Sequence, residues 1–180
     1  MVQITGGDKG DVAGVSPTGN RLNVSSRSDD RIYYVSRDNG DAYSVVSIDT
    51  AAAGEYNFYF KNISKTQKFY VEAFTLGSAV LAIFKISKVT GTASGTTITP
   101  TNLNTTSGNT ADATAMGDAA VTGLTPAAVI DVISVTADDS KEVRFHDALI
   151  LGQGEAIAVE YDTGAGGTMH ATMFGFYDVE

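Results

Sequence analysis

Gly152 and Gly154 stand two apart in ILGQGEAIAVEYD, residues 150–162, and such a pair is the first half of a dinucleotide-binding loop. The full fingerprint needs Gly-x-Gly-x-x-Gly between a strand and a helix, so that backbone amides and a helix N-terminus can hold a pyrophosphate. Here Ile157 occupies the third glycine position. Ala156, Ala158 and Glu160 then alternate with Ile157, Val159 and Tyr161, a period of two that specifies a strand. With no helix behind it and no P-loop lysine, LGQGE reads as a turn joining DALIL to EAIAVEYD. No nucleotide cofactor is expected.

The other candidates for chemistry are equally plain. His146 and His170 both fall inside strand-like runs, and no Gly-x-Ser-x-Gly elbow supplies a nucleophile for His146-Asp147. DNGD at 38–41 lacks the ligand succession and terminal bidentate Glu of a calcium loop. Glycosidase carboxylates would have to be assembled in space. The absence of cysteine excludes disulfide frameworks, Cys-based zinc sites and thiol nucleophiles. The residues point to no enzyme, no cofactor and no metal site.

The elements that would position any site are mostly strands. RIYYVS and AYSVVSI are rich in Tyr, Val and Ile and flank Asn39-Gly40, the pair that suits a type I′ turn, which predicts a hairpin. GEYNFYFKNI places Tyr56, Phe58 and Phe60 on one face and Asn57, Tyr59 and Lys61 on the other. KFYVEAFTL and AVLAIFKISKV follow, with Gly77-Ser78 between them as a tight turn. Later come AVIDVISVT, KEVRFHDALIL, EAIAVEYD and TMHATMFGFYD. Short strands punctuated every 8 to 12 residues are the pattern of an all-β sandwich or barrel.

Two stretches differ. Residues 1–30 contain no aromatic residue and read as an irregular N-terminal arm before a single domain over 31–180. Residues 90–127 have no aromatic residue and only Asp112 and Asp118 as charges, which predicts a long loop, with TADATAMGDAA able to supply a helical turn or two. Ile98, Leu103, Val121 and Leu124 recur along it. Four aliphatic groups cannot order such a loop alone, so they are expected to contact a neighbouring copy.

The formal net charge of −9 argues against a nucleic-acid or anionic-membrane partner. Residues 1–37 nevertheless hold five basic residues against four acidic ones, and Arg21, Arg27 and Arg31 suit an acidic docking partner. No apolar run approaches the roughly 18 residues of a membrane span, and residues 1–30 show no signal-peptide core.

Several stretches resemble a family of tailed-bacteriophage structural proteins, the head decoration or cement proteins: GNRLNVSSRSDDRIYYVSRDNGDAYSVVS, AGEYNFYFKNISKTQKFYVE, GTASGTTITPTNLNTTSGNTADATA and FHDALILGQGEAIAVEYDTGAGG. The resemblance implies a jelly-roll-like antiparallel β-sandwich. It implies a homotrimer bound to the major capsid protein on the capsid exterior, made in the host cytoplasm, with no catalytic motif. Related sandwiches occur in tail and fibre proteins, where Tyr34 or Tyr59 could stack on a host glycan. A carbohydrate hydrolase on the same sandwich is a third expectation to set against these.

Overall fold

The computed structural model describes residues 5–6, 11–12 and 31–177. Its contacts divide the chain into two units, residues 1–30 and 31–180. In the first, β1 (Thr5–Gly6) pairs antiparallel with β2 (Asp11–Val12). The rest of the expected arm, Arg21 and Arg27 included, lies outside the described residues.

The second unit begins with a helix where a strand was expected. RIYYVSRD forms α1 (Arg31–Asp38), and Asn39-Gly40 is its C-terminal cap instead of a hairpin turn. Gly40 has φ +67°, and the amides of Asn39 and Gly40 both donate to the Val35 carbonyl, at 3.0 and 2.9 Å. The same pair suits a type I′ turn and a helix cap because both require positive φ. What decides is packing. Val35 and Ile32, three apart, meet Ala42, Tyr70 and Phe176 in a small apolar cluster on one helical face.

Nine strands follow: β3 (Ala42–Ala51), β4 (Glu55–Asn62), β5 (Phe69–Ser78), β6 (Ala82–Ser94), β7 (Thr101–Asn102), β8 (Ala113–Val135), β9 (Asp139–Leu151), β10 (Ala156–Gly164) and β11 (Gly167–Tyr177). All pairings are antiparallel. One sheet runs β7-β3-β11-β5-β9, and β10-β4-β8-β6 closes on itself as a four-stranded barrel. The fold is therefore all-β with two facing sheets. Phe58 of β4 meets Phe74 of β5 edge-to-face at 5.4 Å, and Phe60 meets Phe69 at 4.5 Å, so the main core lies between the sheets. Each buried ring contributes about 1.5–3 kcal/mol by area, and the edge-to-face contact roughly 0.5–1.5 kcal/mol more.

Barrel closure buries both faces of β4 and β10. Phe58, Phe60, Ile157 and Val159 face the main core, whereas Tyr59, Ala156 and Ala158 join Val89 and Val121 in a second cluster. The expected one-sided alternation of β4 also breaks at Asn57, where pairing with both neighbours shifts register and Tyr56 turns to the second cluster.

The excursion read at 90–127 is shorter than expected. β6 continues to Ser94 and β8 begins at Ala113, so residues 113–120 of TADATAMGDAA are strand, not helical turn. β8 pairs first with β4, from Asn62↔Ala113 to Tyr56↔Val121, then with β6, from Ser94↔Thr122 to Ala82↔Val135. The exchange of partner occurs at Gly91 and Gly123, with φ +103° and +76°. A Cβ on Gly91 would lie 2.3 Å from the Gly123 carbonyl oxygen, and one on Gly123 would lie 2.2 Å from that of Thr92, so only glycines permit the crossing.

The turn between β9 and β10 is LGQGE, as the alternation around it required. Glu155 accepts the Gly152 amide at 2.8 Å, and the Gly154 amide donates to Asn62 at 2.8 Å. The turn expected at Gly77-Ser78 falls instead at 79–81, and Gly77 lies inside β5 beneath the His170 ring.

Candidate interaction surface

The segment between β6 and β8 is held by its own chain. The Asn104 side chain donates to the Ser36 carbonyl at 3.0 Å and that of Asn102 to Gly40 at 2.6 Å. The Asn109 side chain donates to the Asn39 carbonyl at 3.1 Å and to the Asp41 carboxylate at 2.8 Å. Carbonyls at the end of α1 have no partner within the helix, and three asparagines supply the missing donors. The polar run TNLNTTSGN reads by composition as loop, and its bonds become visible only once α1 is recognised.

Two of the residues expected to meet a neighbouring copy are thus buried at home. Ile98 joins the main core and Val121 the second cluster, whereas Leu124 is half-buried and Leu103 is exposed. Ile98 sits beside Gly117, where Ser47 Oγ donates to the Asn57 carbonyl at 2.6 Å and accepts the Asp118 amide at 2.9 Å. Asp118 in turn accepts the Ile48 amide at 2.8 Å. This clasp ties β3 of the open sheet to β4 and β8 of the barrel.

Arg31 is engaged within the fold. Its guanidinium carbon lies 5.0 Å from the Tyr70 ring centroid and 5.6 Å from that of Phe176, two rings stacked at 5.3 Å. Asp147 pairs with it at 3.6 Å. Asp147 reaches this position from a bulge in β9, where Arg144 and Leu149 oppose Ala73 and Val71 and both His146 and Asp147 have positive φ. Two successive non-glycine residues in that region store about 1–2 kcal/mol each. The bulge re-aims a carboxylate at the start of α1, which regular alternation could not reveal.

His146 lies on β9 and His170 on β11, with β5 between the two strands. A cleft of about 370 Å³ brings His170 near Asp138, Asp139, Ser78 and Ser140. Among the described residues His170 makes no hydrogen bond to any of them, and its ring covers Gly77 of the adjacent strand. No group of three or more His, Asp or Glu side chains among the described residues is arranged to hold a metal ion. No helix among them is long and apolar enough to cross a membrane.

The feature that stands out is the side formed by β8 and β9. Among the described residues β9 is the last strand of its sheet and the second half of β8 pairs only with β6, so each leaves a long backbone edge without a partner among them. Val129, Ile130, Val132 and Ile150 are exposed on these two strands. Ala128 and Ile130 of β8 and Ala148, Leu149, Ile150 and Leu151 of β9 line one groove of about 310 Å³. At its end Glu155 binds Lys88 and the Gly152 amide, which hold its carboxyl below the usual range. Open strand edges flanked by exposed aliphatic residues can template pairing with another chain, and in β9 the charged residues and the bulge at His146-Asp147 confine the apolar part to its end at 148–151. The arrangement suits docking of a protein.

No protein-family model matches this chain, and no curated protein or solved structure matches it.

Proposed function

We propose that this chain is a bacteriophage virion structural protein, a capsid decoration protein that binds the major capsid protein on the head exterior and stabilises the shell. The observation that carries the reading is the β8–β9 side, two open strand edges with four exposed aliphatic residues. Such a surface serves assembly better than catalysis, because it offers backbone pairing and apolar area without a polar reaction centre. The sequence resemblance supplies the partner class, and the jelly-roll likeness and the homotrimer belong to the same proposal. In this reading Arg21 and Arg27 meet acidic groups on the shell, while Arg31 is held by Tyr70, Phe176 and Asp147.

The test is re-binding of the purified chain to capsids stripped of it. Saturable re-binding that slows on Arg21→Glu with Arg27→Glu and weakens with salt is the expected result, since rim charges act on association rate. Failure to bind at any salt overturns the proposal. The tail-fibre alternative loses one of its two stacking residues, because Tyr59 is 3% exposed. An antibody label on tails rather than heads in negative-stain images would favour it.

A further inference from the structure

We propose that the β8–β9 side binds a second copy of this chain, with β9 of one copy against the second half of β8 of the next. The proposal rests on the reading of this side as a protein-docking face. It does not depend on capsid attachment.

The first argument is that one chain carries two open edges. A single foreign strand would pair with one edge and leave the other exposed. A copy of the same chain brings a β9 for each β8, so one repeated contact covers both. Head-to-tail contacts of this type close into rings when the rotation permits.

The second argument is charge. Two copies of a chain with net charge −9 repel unless their contact brings opposite signs together. After Lys88 the chain holds only two Lys or Arg side chains, Lys141 and Arg144, and both lie on β9 beside Asp139, Glu142 and Asp147. The second half of β8 carries Asp131 and no cation, and Asp138 follows it in the turn. Lys141 is exposed, and among the described residues no ion pair engages Lys141 or Asp131. The complementarity is therefore local, with Lys141 of one copy opposite Asp131 of the next, since Arg144 is already paired with Glu142. The exposed Val132 and Ile150 supply the apolar area beside them.

The experiment is sedimentation of the full chain at micromolar concentration. Concentration-dependent association is expected. Ile150→Ser and Val132→Ser change exposed side chains, so each should keep the fold, checked by circular dichroism, and weaken association about tenfold or more. Lys141→Glu and Asp131→Lys should each weaken it similarly, and the double variant should recover most of the loss, since it restores opposite charges across the contact. A strictly monomeric wild type overturns the inference. So does association untouched by Ile150→Ser and Val132→Ser, which would put the contact elsewhere. A monomer that still re-binds stripped capsids sinks this inference and leaves the decoration reading standing, and an associating chain that ignores capsids does the reverse.

Discussion

Gly40 shows how much one backbone position carries. Its φ of +67° ends α1, and a Cβ there would lie 2.4 Å from Ser107 Oγ, in the loop that caps the helix. Gly40→Ala therefore meets conformational strain and a displaced loop together. A loss of about 1–3 kcal/mol in urea unfolding is expected, and an unchanged midpoint would overturn the cap assignment. Tyr43 and Tyr177 present a different case. Their rings meet edge-to-face at 5.9 Å, and the Tyr177 hydroxyl has no hydrogen-bond partner among the described residues. Burial, with the negative charge of Asp41 adding to it, pushes the Tyr43 phenol up to about 12. Burial, followed by the charge of Asp112, raises Tyr177 as well. A raised folded pKa means that the stabilisation is whole below the ordinary phenol value of about 10 and drains away as pH rises through the folded value. Tyr177→Phe should flatten that alkaline loss and raise neutral-pH stability by about 1 kcal/mol, because an unpartnered buried hydroxyl disappears. Chemical denaturation below and above the ordinary phenol pKa checks both, and a less stable variant at neutral pH contradicts them.

At the scale of elements, the segment between β6 and β8 is a brace. Asn102 donates to Gly40 and Asn109, and its Oδ1 accepts the Asn104 amide at 2.8 Å. Asn102→Ala removes the hub and leaves several groups short of partners, so a cost of about 1–3 kcal/mol is expected. Limited proteolysis should then cut within residues 103–111, and wild-type resistance in the variant would show the brace to be dispensable. The β9–β10 turn responds to pH. Glu155 is held below its usual range mainly by Lys88, with the Gly152 amide second. A depressed carboxylate stabilises above its unfolded pKa and loses that contribution as pH falls through the folded value. Glu155→Gln should therefore shrink the acid-side fall in melting temperature while slightly lowering the melting temperature at neutral pH. The effect is small because both side chains are partly exposed.

At the scale of the molecule, the boundary at residue 30 separates a unit with its own contacts from one that holds both cores. Residues 31–180 alone should fold with the melting temperature of the full chain, read by calorimetry. In the proposed function the same truncation abolishes capsid re-binding. A shortened chain that unfolds would show that residues 1–30 complete the fold.

Period-two runs with aromatic and β-branched residues determined on their own that this chain is antiparallel β. Ile157 in place of a glycine determined that LGQGE is a turn. Both follow from local rules, a side-chain period and a missing backbone freedom, that need no partner strand. Tertiary structure decided the rest. RIYYVSRD has strand-forming residues, yet becomes α1 because Val35 and Ile32 can pack on Tyr70 and Phe176 from distant strands. Residues 113–121 read as loop because Ala, Thr and Gly carry weak local preference, and became strand because β4 offered an edge. The open edges of β8 and β9 were invisible for the same reason: whether a strand has one neighbour or two depends on the closing of a barrel, which no local pattern encodes.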